Sequence, residues 1–132
     1  MRTDQQLFLA VLRDTLSRGE SVLFRVRGVS MLPWLREGQK VRVTPLGGRP
    51  LRRGDIVLFW RGENEPILHR VVAVREDSVD CRGDSGYGKP EHVRLEQVAG
   101  RVPLAAWQRL VFRMVHPPRK LVNRWLAPKK KP

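Results

Sequence analysis

Glycine and proline cut residues 21 to 103 into short runs, and that punctuation limits the fold more than any other feature. Ser21 to Gly28 alternates, with Val22, Phe24 and Val26 on one side and Arg25 and Arg27 on the other. Lys40 to Thr44 alternates in the same way. Alternation of this kind is the mark of a half-buried strand. Ile56-Val57-Leu58-Phe59-Trp60 is continuously apolar, as a strand buried on both faces is. Ile67 to Val74 is a second apolar run with His69 and Arg70 set inside it, and Val98 to Val102 is a last strand. Pro45 to Pro50 and Gly83 to Pro90 read as loops. About six short strands with tight connections and no βαβ alternation predict a mainly β fold, a small coiled, barrel-like sheet.

Two helical segments flank this body. Residues 4 to 18 carry Leu7, Val11, Leu12 and Leu16 at helical spacing and end at Gly19, which predicts a short amphipathic helix packed on the body. From Leu104 the spacing is helical again, with Trp107, Leu110, Val111, Met114 and Val115 on one stripe. Pro117-Pro118 breaks it, and Leu121, Val122, Trp125 and Leu126 form a second. The expected organisation is therefore a helix over 1–20, a β domain over 21–103 and a basic helical tail over 104–132.

Charge is uneven. Of 26 basic residues nine lie after residue 100, where there is no acidic residue; the first 100 residues hold the other 17 and all 13 acidic ones, a net of +4. A concentrated positive tail favours anionic partners. Three readings stay open for it: a helix packed on the body, a segment lying on an anionic membrane surface through residues 104–131, or a nucleic-acid contact. Nucleic acid is the weakest of the three. No run approaches the ~18 apolar residues of a spanning helix, and no signal peptide is evident, so a cytoplasmic location is expected, peripheral on the inner face of the membrane if the tail lies on lipid. The single cysteine, Cys81, excludes an internal disulfide framework and a cysteine-rich zinc site. His69, His92 and His116 lack ligand spacing, so neither a metal nor another cofactor is expected.

Three short constellations carry chemistry. Gly28-Val29-Ser30-Met31-Leu32-Pro33 places a serine where a strand bends into a turn, exposing a hydroxyl and aiming backbone N–H groups outward. His69 lies in an apolar strand that sets its basicity, and a serine needs such a base. Asp84, in Gly83-Asp84-Ser85, is a carboxylate suited to orienting an imidazole and stabilising its cation. Each alone has an ordinary structural reading: a loop serine, a half-buried histidine, an Asx turn.

Taken in order, Gly28–Pro33, Arg52–Val57, Ile67–Val71, Arg82–Asp84 and Gly100–Val102 closely resemble the signal peptidase I superfamily, over residues 21 to 103. The resemblance implies a coiled, mainly β fold and a serine endopeptidase with Ser30 as nucleophile. Bacterial signal peptidases and self-cleaving repressors of that superfamily use lysine as the base. His69 and the Gly-Asp motif at Asp84 match the endoplasmic-reticulum and archaeal type instead. Gly28 stands where many members carry a serine for the oxyanion hole, which leaves the backbone N–H groups of Ser30 and Val29. Met31, Leu32, Pro33 and Trp34 are then candidates for the substrate cleft, where a peptide or protein substrate adds as a strand. Asp55, in a turn leading into the buried strand, is assigned no catalytic role, and Cys81 is expected to be an inert buried thiol. Arg70 is expected to support the site or pair with a carboxylate. Two alternatives remain: a self-cleaving repressor, disfavoured because some 20 residues before the β domain cannot hold a helix-turn-helix, and an inactive binding module on the same fold.

Overall fold

The structure, a computed structural model, describes residues 4–86 and 88–104; the expected basic helical tail, including Trp107 and Trp125, lies outside the described residues. One helix, α1 (Asp4–Ser17), is followed by seven strands: β1 (Val22–Arg25), β2 (Lys40–Val43), β3 (Ile56–Arg61), β4 (Glu65–Val74), β5 (Ser78–Arg82), β6 (Glu91–Arg94) and β7 (Val98–Val102). A 3-10 turn at Leu95–Gln97 joins the last two. β1 and β2 form a two-stranded antiparallel ribbon, and the other five form an antiparallel sheet in the order β6-β5-β4-β3-β7. The fold is mainly β as expected, but the sheets do not close into a barrel.

β3 is the central wall. Its burial on both faces follows from its unbroken apolar sequence. Ile56, Leu58 and Trp60 face one core with α1 and the ribbon, while Val57 and Phe59 face a second core with Val71, Val79, Cys81 and Val93. The turn into β3 is locked by Asp55, whose carboxylate accepts the Arg52 N–H at 2.9 Å and pairs with the buried Arg101 guanidinium at 3.2 Å. Asp55 is thus a structural anchor, consistent with its having no catalytic assignment.

α1 buries a different face from the expected one. Leu9, Leu12 and Leu16 enter the first core, whereas Leu7 and Val11 are more than half exposed. At 100° per residue Leu7 and Val11 point away from Leu9, so only Leu12 and Leu16 of the expected stripe belong to the packed face. The helix is held over the β3–β4 hairpin by Arg13, which stacks on Trp60 at 3.7 Å and donates to the Glu63 carbonyl. Leu104, the last described residue, also packs against this first core.

Beyond the shared core, the ribbon joins the sheet by backbone hydrogen bonds at one point among the described residues. Thr44 and Arg101 exchange two backbone hydrogen bonds of 2.8 Å. The approach is close because residue 100 has no side chain: a Cβ there would lie 2.4 Å from the Thr44 carbonyl oxygen and 2.9 Å from Val43 Cγ1. Gly100→Ala is expected to lower stability by about 1–3 kcal/mol through overpacking. Urea denaturation checks this; an unchanged midpoint would mean that the two sheets do not meet at this position.

Candidate active site

Ser30 follows Gly28, whose φ of 74° only glycine adopts easily, so the chain leaves the ribbon in a sharp turn. The turn is fixed from outside by the loop after β5. The Ser85 N–H donates to the Ser30 carbonyl at 3.0 Å, and the Ser85 hydroxyl donates to the Val29 carbonyl at 2.8 Å. Gly83 lies flat against the turn; a Cβ on it would sit 2.5 Å from the Ser30 carbonyl oxygen. The Gly-Asp-Ser segment is therefore a cradle for Ser30 before it is anything else. Among the described residues no acceptor takes the backbone N–H of Val29 or Ser30.

His69 comes from β4, where it pairs across the sheet with Val57. Its ring meets Phe59 edge-on, with centroids 6.0 Å apart. Ser30 and His69 share the walls of two hollows. A cleft of about 360 Å³ runs from them between α1, β1 and the start of β4, lined by Phe8, Leu9, Phe24, Val26 and Met31 among others. A smaller hollow of about 180 Å³ opens on the other side, against Arg82, Lys89 and Glu91. Glu65 to His69 pair with β3 alone, since β5 begins its pairing with β4 only at Arg70. The edge of that half of β4 away from β3, and the edge of β1 away from β2, have no strand partner among the described residues. The cleft is thus flanked by backbone able to accept another strand.

Asp84 is placed differently from the expectation. Its two carboxylate oxygens accept from Arg70 Nε at 2.8 Å and Nη2 at 2.9 Å, and both side chains are 3% exposed. His69 Nδ1 is buried and bonded to nothing among the described residues, so the orienting bond expected from Asp84 is not made through that nitrogen. Asp84 reaches the imidazole by its charge, which favours the imidazolium. Arg70 also donates to the Gly54 carbonyl at 2.8 Å and lies 5.4 Å from the Trp34 ring centroid. The carboxylate pairing foreseen for Arg70 is thus present, and its partner is Asp84.

The other site candidates separate. Met31 is buried and lines the large cleft; Leu32, Pro33 and Trp34 do not line it. The turn after Ser30, closed by the Leu35 N–H bonding to the Met31 carbonyl at 2.9 Å, swings them away and leaves Trp34 against Arg70. Phe8 and Leu9 of the helix and Asn64, Glu65 and Pro66, which no local motif marked, take their place together with Ile67 and Leu68. Cys81 is fully buried and burial pushes its thiol up to about 12, so it is no nucleophile. Among the described residues no group of histidine, cysteine and carboxylate side chains is arranged to hold a metal.

Burial lowers the His69 pKa below its ordinary 6.5, and Arg61 adds to this; Glu91 and Asp84 oppose it. Both carboxylates are themselves held by arginines, Glu91 by Arg61 Nε at 3.1 Å and Asp84 by Arg70, so desolvation prevails. A neutral imidazole is the form that can take a proton.

No family model matches the chain. It is 32% identical over 66 residues to signal peptidase IB of Staphylococcus aureus, in strains Mu50 and N315 alike. The match covers 48% of this chain and 35% of those proteins, so the chain spans about a third of the length of the curated relatives it matches. The relationship is signal peptidase I-like. Among the described residues no helix is long and apolar enough to cross a membrane.

Two measurements check this geometry. Arg70→Met or Asp84→Leu alone removes one member of a buried ion pair and is expected to cost about 3–5 kcal/mol, while the double variant recovers much of it; additive losses in denaturant titration would show that the two do not act as a pair. By NMR the His69 imidazole is expected to titrate below 6.5. Its depressed folded pKa favours the fold above the ordinary value, and that contribution is lost as pH falls through 6.5 and below. Titration above 6.5 would contradict the desolvated setting.

Proposed function

We propose that the chain is a signal-peptidase-like serine endopeptidase of the histidine type, with Ser30 as nucleophile and His69 as general base. The observation that carries the reading is the shared position of Ser30 and His69 on the walls of the apolar cleft, beside strand edges that have no partner. A substrate strand laid along those edges gains main-chain hydrogen bonds, and the cleft selects its side chains.

In this reading the Ser30 hydroxyl attacks the peptide carbonyl while His69 takes its proton. The developing oxyanion is met by the N–H groups of Ser30 and Val29, which no protein acceptor occupies among the described residues. The imidazolium returns the proton to the leaving amine, and water then releases the acyl-enzyme. Asp84 is a positioning residue: its pair with Arg70 holds Gly83 and Ser85 against the Ser30 turn, and its charge stabilises the imidazolium. The large cleft takes the acyl side of the substrate and the hollow at Lys89 and Glu91 the leaving side.

Cleavage of a panel of apolar peptides tests this directly. Ser30→Ala and His69→Ala are each expected to reduce kcat/KM by about 10³-fold or more, and the double variant to lose no more than either alone, because the two act as a unit. Cleavage that survives Ser30→Ala would remove the assignment.

A further inference from the structure

The large cleft does not end at α1. Phe8 and Arg27 line it and also line a neighbouring hollow of about 330 Å³ on the outer face of the β1–β2 ribbon. The remaining walls of that hollow are Leu23, Arg25 and Lys40. Three of its five wall residues are cationic. Arg25 and Lys40 stand opposite each other in the ribbon register, and Leu23 faces a further cation, Arg42. Arg25, Arg27, Lys40 and Arg42 are all exposed, and no carboxylate pairs with them among the described residues. Arg25 donates only to the Gly38 carbonyl at 3.5 Å, and the nearby Glu37 carboxylate takes the Gly28 N–H at 3.4 Å. Four like charges on one ribbon face repel each other, and an anion laid among them relieves that cost.

The backbone gives this charge a direction. β1 leads away from Ser30 with its free edge on the cleft, and its side chains alternate. Phe24 and Val26 point inward as cleft wall, while Leu23, Arg25 and Arg27 point outward. A strand added to that edge must alternate in phase with it. Its inward side chains meet apolar cleft, and its outward side chains lie beside Arg25 and Arg27.

Resting on the peptidase reading above, we infer that the substrate is a peptide whose residues on the cleft side of the scissile bond alternate between apolar and acidic. Arg25 and Arg27, with Lys40 behind Arg25, select the acidic positions. Specificity then has two layers, apolar fit below the strand and charge above it.

The test uses the full chain and internally quenched peptides in which alanine alternates with glutamate or with lysine, in both phases. Cleavage is read with the wild type, and binding is read by fluorescence anisotropy with Ser30→Ala. The glutamate peptides are expected to be cut and bound about tenfold better than the lysine peptides at low salt, with the difference shrinking as salt screens exposed charge. Arg25→Glu/Arg27→Glu is expected to abolish or invert the preference, and Arg25→Gln/Arg27→Gln to leave an intermediate one; the basic tail is the same in every chain compared. Cleavage without preference, or a preference that survives charge reversal, would overturn the inference and leave the peptidase reading intact. A charge-dependent binding preference in a chain whose cleavage ignores Ser30→Ala would end the peptidase reading and overturn the inference with it, leaving the ribbon as an acidic-peptide binding face. Phosphatidylglycerol vesicles serve as the competing anion: vesicle binding lost on charge reversal, with peptide preference unchanged, would assign the ribbon to lipid and overturn the inference.

Discussion

A buried guanidinium organises the centre of the molecule. Arg70 bonds both oxygens of Asp84, the Gly54 carbonyl and approaches the Trp34 ring. With Arg70 itself on β4, those groups bring together four separate segments: the turn before β3, β4, the loop after β5 and the turn after Ser30. A charge placed out of water requires every one of its donors to be used, and the planar fork of arginine can satisfy several directions at once. The arrangement over-determines the loop that carries Gly83 and Ser85, and that loop in turn fixes the carbonyls of Val29 and Ser30. The position of the serine thus depends on an ion pair that never touches it.

The same pairing shapes the electrostatics of His69. An unpaired carboxylate beside an imidazole raises its pKa, but here the two nearby carboxylates, Asp84 and Glu91, each have an arginine partner. Their attraction for the imidazolium is largely offset, and loss of water decides the direction. A lysine in this place would need a far larger depression to be neutral near pH 7. Histidine needs little, so balanced charges and moderate burial are enough to favour its neutral form.

Much of the frame was legible because it obeyed local rules. The apolar run at Ile56–Trp60 is the doubly buried β3, and the alternation at Lys40–Val43 is β2 with Val41 and Val43 inward. β5 and β6 were harder to see. Ser78-Val79-Asp80-Cys81-Arg82 mixes charge into a buried strand, and Glu91-His92-Val93-Arg94 buries only Val93, as befits an edge kept polar against further pairing. The helix was placed correctly but turned the wrong way, since Leu7 and Val11 are as apolar as the leucines that pack. At the candidate site, Ser30 and His69 were singled out by their order and spacing together, since each alone reads as a loop serine or a half-buried histidine, and the structure sets both on the wall of one cleft. The partner of Asp84 was not, because the choice between a histidine and the arginine beside it is made by the direction each side chain takes from β4, and alternation sends Arg70 to the opposite face from His69.

The failure of the sheets to close is what leaves a cleft. β4 is ten residues long, whereas β5 is five and pairs only with its second half. The first half of β4 and the outer side of β1 then face each other across a gap that α1 caps with Phe8 and Leu9. An open edge is ordinarily a hazard, because any extended chain can add to it without limit. Here α1 lies over one end of the cleft and the Ser30 turn at the other, so the open edge is short and ends beside Ser30 and His69. A closed barrel built from the same strands would satisfy more backbone and leave no such cleft.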